Sequence, residues 1–261
     1  MAPRGLKQLL KSSAPGKLVG KGGFRGYQAV DQGQLVGTKL KGITKRLHAK
    51  VFSAGTLPLI ARKADLRPGG HWKGRNGGRN RGTRVDAQVT KLVNAGPAAM
   101  KAMAHTYSLT KLVFASLKQR GLQPLLAQRV VLDRARRLAT AADLVCFDAK
   151  ANALVLVELK CGFDHGRQAP AETPSGRACK MRAPLASAPD CNLNRHLAQL
   201  AVTRELFVRE TALLKQIQKL GVDADAKSVK AVLLYAADAG VEFYALDEWW
   251  IKRGTKIVKA L

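Results

Sequence analysis

Residues 142–160, ADLVCFDAKANALVLVELK, constrain the fold of this chain more than any other stretch. They contain two short apolar segments separated by a polar turn, a pattern typical of two buried strands that follow each other. The first segment contains Asp143, and the second ends with Glu158 and Lys160. Charged side chains in buried strands must be paired, bind a metal, or lie at a strand end beside a cleft. The sequence therefore predicts that neighbouring strands bring two carboxylates and a lysine together.

The acid-x-Lys triplet is weak evidence alone, because it occurs three times, at 148–150, 158–160 and 225–227. The first and third triplets lie in the polar segments DAKAN and GVDADAKS, which are typical of turns. Only the second interrupts an apolar run, VLVELKCGF. The alternative interpretation of that run is an edge strand whose charged side chains face water.

Hydrophobic periodicity predicts helices packed on a small sheet. Three helices are predicted: one that begins at Gly82, one over 98–120 and one over 192–220. The predicted strands cover 125–133, 141–147, 154–161, 229–236 and 241–246, with ADAG as the hairpin turn between the last two. Residues 162–190 contain four prolines and are predicted to be a long loop, which is usually functional or disordered. The predicted fold class is α/β, with a small mixed central sheet flanked by helices.

The net charge of +27 comes from 45 Lys and Arg against 18 Asp and Glu, and it predicts a polyanionic partner. The first 82 residues hold 18 of the basic residues, two of the acidic ones and many glycines. Such a composition buries too little apolar surface to offset its ordering entropy. We therefore predict that 1–42 is mostly disordered and that 69–82 is a flexible linker. This divides the chain into a basic tail and linker, 1–81, and a domain, 82–261, that stays folded without the tail. A targeting segment is the alternative interpretation of the N-terminus.

Between residues 82 and 246 the chain resembles the PD-(D/E)xK nuclease superfamily, within it the RecB-like and lambda-exonuclease-like branches. Four elements carry the resemblance in order: a first helix opening GTRVD with Asp86, then Asp143 on a strand, then Glu158-Leu-Lys160 on the next strand, then Gln199 in the following helix. The chain departs from the pattern in several places, among them Gln88 and Thr90, where members often have an acid, and Thr203, where RecB-like members often have an aromatic residue. Ala142 precedes Asp143 where many members have proline, and Asp86 stands where RecB-like members usually have histidine.

The resemblance implies a restriction-endonuclease-like core that hydrolyses DNA phosphodiester bonds in replication, recombination or repair. The cofactor that it implies is Mg²⁺ or Mn²⁺, which prefers hard oxygen ligands. The implied ligands are the carboxylates of Asp86, Asp143 and Glu158 and the carbonyl of Leu159. Lys160 is implied to position a water or stabilise charge on the phosphate, and Gln199 to orient the site or a phosphate.

Basic side chains outside these motifs are candidate contacts to the nucleic-acid backbone. The candidates are Arg134, Arg136 and Arg137 in the turn before the second strand, with Arg79 and Arg81 in the linker. A solvated basic turn is the alternative for the first three. DNA is the expected partner, with RNA as the alternative. No membrane partner is expected, and we predict an intracellular protein, nuclear or virus-associated.

A second class of function explains the charge without catalysis. The chain would then be an inactive nuclease fold kept as a basic nucleic-acid-binding or packaging protein, or a ribosomal or chromatin-type binder. Three charges at one strand end favour the enzyme, and metal-dependent cleavage of labelled DNA separates the classes. The cysteines Cys146, Cys161, Cys179 and Cys191 form no CxxC pair. Cys146 and Cys161 are predicted to be core residues, with an iron–sulfur cluster on all four cysteines as the alternative.

Overall fold

The computed structural model describes residues 1–19, 26–31, 34–57, 78–101, 107–161 and 167–261. In chain order the described elements are α1 (Leu6–Ser12), β1 (Gly16–Val19), β2 (Gly26–Asp31), β3 (Gln34–Gly42), α2 (Ile43–Lys50), α3 (Gly78–Ala95), α4 (Pro97–Lys101), α5 (Ser108–Gln119), β4 (Leu122–Asp133), β5 (Leu138–Asp148), β6 (Ala153–Cys161), α6 (Asn192–Val208), α7 (Thr211–Lys219), β7 (Lys230–Ala237), β8 (Gly240–Ala245) and α8 (Glu248–Ala260).

Five strands form a mixed central sheet in the order β4-β5-β6-β7-β8. The β6–β7 pair is parallel and the other three pairs are antiparallel. Alternate residues of β6 point to opposite faces: Leu156 lies in the core with α6 and α8, whereas Val157 lies in the core with α3 and α5. The predicted mixed α/β fold with helices flanking the sheet is therefore confirmed.

Helix boundaries differ from the prediction at three places. The helix predicted over 192–220 is two helices, because the chain turns at Arg209–Glu210 between α6 and α7. The helix predicted over 98–120 is divided into α4 and α5, and residues 102–106 between them lie outside the described residues. Helix α3 begins at Gly78, so the predicted linker is already helical before Gly82, and its residues 69–77 lie outside the described residues.

The prediction that 1–42 is a mostly disordered tail is wrong for the described part of that segment. Helix α1 buries Leu6 and Leu10 completely, in the same core cluster as α6. Helix α2, which begins directly after the segment, buries Ile43 and Leu47 in that cluster, as a short element packed on the domain. The pattern was detectable, because residues four apart lie on one face of a helix. The many lysines and glycines of the segment dominate its composition, so the few leucines with this spacing are easily overlooked. Strands β1, β2 and β3 pair antiparallel with one another, and β3 pairs parallel with β5, which joins them to the sheet.

The described part of the predicted loop, 167–190, is held to the domain by specific contacts. Asp190 is fully buried and accepts hydrogen bonds from Arg195 Nε at 2.6 Å and from the Ser53 backbone N–H at 2.5 Å. Among the described residues no helix is long and apolar enough to cross a membrane. Three cysteines are buried and Cys179 is half-buried, and all four are free thiols.

Candidate active site

The edge of β5 opens into a notch where two other strands stop. Strand β4 pairs with β5 along its whole length, from Leu138 to Asp148. On the opposite edge, β6 pairs with residues 144–148, and β3 pairs only with Leu138 and Ala139. Residues 140–143 of that edge therefore pair with no strand among the described residues. Such a gap leaves room for side chains to meet within the plane of the sheet.

Asp143 and Glu158 lie at the β6 end of this notch. The last β5–β6 pair is Leu144 with Val157, so Asp143 and Glu158 are the next residues, where the strands part. Asp143 Oδ2 accepts a hydrogen bond from the Leu159 backbone N–H at 2.8 Å. The carboxylate thus satisfies a β6 backbone donor that pairing with β5 no longer reaches.

Glu158 is the most buried carboxyl group of the site, with a residue exposure of 1%. Its Oε1 accepts hydrogen bonds from Lys160 Nζ and, at 2.7 Å, from Gln199 Nε2. Its Oε2 is buried and has no hydrogen-bond partner among the described residues. Burial, followed by the charge of Asp143, raises the pKa of Glu158 to about 7, although Lys160 opposes the shift. One oxygen is therefore fixed in place, and the other remains available to a ligand.

The ammonium of Lys160 stays charged in this setting. Burial lowers its pKa, but the charges of Glu158 and Asp143 outweigh burial, so the net shift is upward. A half-buried lysine beside two acids is held in its cationic form. It can therefore donate to a carboxylate or to an anionic ligand, but it cannot act as a base near neutral pH.

Gln128 is a site residue that the sequence reasoning missed. The β4–β5 register places it opposite Asp143, since Ala127 pairs with Leu144 and Arg129 with Ala142. Its backbone is left-handed, with φ of 54° in the middle of a strand. No residue preference signals this, because glutamine rarely adopts that conformation. Only the tertiary setting, in which Asn94 Oδ1 accepts the neighbouring Ala127 N–H at 3.0 Å, explains the local break in the strand.

The amide of Gln128 links two carboxylates. Its Nε2 donates to Asp143 Oδ1 at 3.1 Å and to Asp86 Oδ1 at 3.0 Å. Asp86, an exposed residue of α3, therefore reaches the site through this amide. Strain at a non-glycine residue is kept when the surrounding structure fixes it, and it is often found at functional positions.

Two substitutions of Gln128 that both remove its amide, to glycine and to alanine, measure the cost of its left-handed backbone separately from its side-chain contacts. We expect Gln128→Gly to be more stable than Gln128→Ala by about 1 kcal/mol, because glycine adopts positive φ without the Cβ penalty. Thermal unfolding of both variants measures this difference. Equal stabilities would contradict the left-handed conformation at residue 128.

Helix α6 brings further polar groups to the same face of the sheet. His196, one turn before Gln199, has its Nδ1 2.6 Å from the Tyr235 hydroxyl. Tyr235 lies on β7 in register with Lys160. Burial, then the charges of Lys160 and Arg195, lowers the pKa of His196 well below its usual value, so its ring is neutral. No local pattern indicates a site role for Tyr235, which lies in an apolar strand.

The predicted arginine contacts are spread over other parts of the surface. Arg134 donates to the Val30 carbonyl at 3.2 Å, Arg136 pairs with Asp133 at 3.0 Å, and Arg137 is exposed in the same turn. Arg81 is 2% exposed and contacts Asp238 at 3.4 Å. Its expected role as an exposed linker contact does not fit this burial, which follows from the early start of α3. The side chain of Arg79 lies outside the described part of the chain.

The structure thus brings Asp143, Glu158, Lys160 and Gln199 together, with Asp86 attached through Gln128. Within the described residues, no three acidic, histidine or cysteine side chains are grouped closely enough to hold a metal ion without rearrangement. Asp143 and Glu158 are the two carboxylates that lie where β5 and β6 separate. Neither a comparison with protein-family models nor one with curated proteins finds a match to this chain.

Proposed function

We propose that this chain is a metal-dependent nuclease with a restriction-endonuclease-like core that hydrolyses phosphodiester bonds of DNA. The observation that supports this most is the unpartnered, buried Oε2 of Glu158 beside Asp143 at the strand fork. A buried polar atom without a partner is costly and calls for an explanation. A divalent cation would supply the missing interaction, and carboxylate oxygens are its preferred ligands.

Asp143 and Glu158 would hold the cation, and Asp86 would support Asp143 through Gln128. When bound, Mg²⁺ or Mn²⁺ would polarise the phosphate and provide a nucleophile at neutral pH. Gln199 fixes the carboxylate of Glu158, so that its second oxygen keeps one orientation. Lys160 supplies a fixed positive charge where negative charge develops on the phosphate.

The net charge of +27 supports a polyanionic substrate. DNA is the substrate that we propose, in replication, recombination or repair, with RNA as the alternative. The competing function is that of an inactive, basic nucleic-acid-binding protein. One observation favours it: Lys160 and Gln199 already satisfy Oε1 of Glu158, as a purely structural ion pair would.

The deciding experiment incubates the purified protein with Mg²⁺ or Mn²⁺ on labelled linear duplex, circular duplex and single-stranded DNA. We expect cleavage with metal and none with EDTA. Thermal unfolding provides a second readout, because a ligand that binds only the folded state raises its stability. Tight DNA binding without cleavage, and with no effect of Mn²⁺ on unfolding, would support the binding protein instead.

A further inference from the structure

A cleft of about 510 Å³ adjoins the candidate active site. It lies between the α1–β1 segment and the β4 strand, and Gln128 is part of its lining. Because the amide of Gln128 also contacts Asp86 and Asp143, the cleft and the carboxylates share a side chain. Whatever occupies the cleft therefore lies within one side chain of Asp86 and Asp143.

The charge of the cleft is positive. Lys7, Lys11 and Lys17 line it, and no acidic side chain is among the lining residues. Its other cation, Arg129, is buried and neutralised by Glu210 at 2.8 Å. Lys7 donates to the Val93 carbonyl at the end of α3, at 2.7 Å, whereas Lys11 and Lys17 are exposed. Three neighbouring ammonium groups without acids favour an anionic ligand.

The lining also restricts the kind of anion. It includes no aromatic side chain, so stacking with bases, the usual source of base contacts in single-strand grooves, is absent from this lining. The volume is in the range of small-ligand pockets, about 300–1,000 Å³. Such a cleft suits one extended chain of phosphates better than a duplex. Lysines attract phosphates as point charges, without sequence preference.

We propose that this cleft binds the phosphodiester backbone of one nucleic-acid strand and leads that strand past Gln128 to Asp143 and Glu158. That the bound nucleic-acid strand leads to Asp143 and Glu158 rests on the proposed nuclease function, whereas its binding in the cleft does not. Lys11 and Lys17 are the main phosphate contacts, and Lys7 anchors α1 to the end of α3.

The test compares the double variant Lys11→Ala/Lys17→Ala with a matched control, Lys150→Ala/Lys227→Ala. Each double variant removes two exposed lysines. Lys150 and Lys227 lie in the turns before β6 and β7, at the end of these strands that is far from Glu158 and Lys160. Binding of labelled single-stranded DNA, single-stranded RNA and blunt duplex is measured by fluorescence anisotropy in EDTA over a range of salt. Thermal unfolding checks that all proteins are folded.

We expect the cleft variant to bind both kinds of single strand about twentyfold more weakly at 0.1 M salt, with its log–log salt slope reduced by about 1.4. The control variant should change by less than half as much. Equal losses in both variants, a loss confined to duplex, or no single-strand binding by the wild type would each overturn the proposal. If the cleft variant loses binding but the wild type never cleaves, the cleft stands and the nuclease function fails.

Discussion

Asp143→Asn and Glu158→Gln are each expected to lower metal-dependent cleavage by at least about 10³-fold. Loss of a single fixed donor in a catalytic site already costs about 10²–10³, and these changes remove the charged oxygens that would hold the cation. The isosteric amides retain an oxygen acceptor for Leu159 N–H and for Gln199. Initial rates on labelled DNA measure the loss, and undiminished cleavage by either variant would reject this site.

Stability controls distinguish a chemical effect from unfolding. The pKa of Glu158 is raised from 4.5 to about 7 by burial. The contribution of Glu158 to stability is therefore fully present below about pH 4.5 and is lost as the pH rises through about 7 in metal-free protein. Glu158→Gln removes this loss, so at pH 8 without metal it should unfold no lower than the wild type.

Substitutions of two neighbouring residues should give smaller effects in the same cleavage assay. Gln199→Ala should lower cleavage by about 10²-fold with little loss of stability, since one donor to Glu158 disappears and little core volume is removed. Lys160→Met should lower turnover more than metal affinity, because its charge acts on the phosphate. A metal titration with the opposite pattern would reject that role.

Removing residues 1–57 is expected to prevent folding of the rest of the chain. Six of the removed side chains are buried in the main core: Leu6, Leu10, Ile43, Leu47, Val51 and Phe52. Burial of each contributes about 1.5–3 kcal/mol, so the loss is on the order of 10 kcal/mol, comparable with the whole net stability of a typical domain. Solubility and circular dichroism of the shortened chain measure the effect.

A graded pair of variants tests the same packing in the full chain. Leu6→Ala and Leu10→Ala should each lower the free energy of unfolding by about 2–5 kcal/mol. Lys11→Ala, on the exposed side of the same helix, is the control and should leave it unchanged. A shortened chain that melts cooperatively near the wild-type temperature would restore the interpretation of this segment as a detachable tail.

The central strands were predictable because their signals are local. An apolar run such as ALVLVELKC predicts β6 almost to the residue, and ADAG correctly predicts the β7–β8 hairpin turn. The approach of Glu158 to Asp143 follows from two consecutive antiparallel strands. Gln199 is expected to face the two carboxylates if its helix packs across the sheet, and its Nε2 donates to Glu158 Oε1 at 2.7 Å.

The remaining features depend on contacts that are distant in sequence. Strand β3 meets β5 through Lys41 and Leu138, and no local pattern predicts such a pairing. The left-handed backbone of Gln128 arises from neighbours on α3 and β5, not from its own preference. The N-terminal fold was missed because a global charge count says nothing about which few leucines share a helix face.

The short unpaired edge at residues 140–143 also bears on whether another chain can add a strand to this sheet. An unpaired strand edge is a template on which another chain can add a strand, and proteins usually cover or shorten such edges. Here β3 covers one end of the exposed edge and β6 the other, which leaves four residues between them. A typical strand has five or six residues, so a foreign strand finds too little backbone to pair with. The same gap lets the side chain of Asp143 reach the Leu159 backbone N–H, yet it is too short for another chain to add a strand.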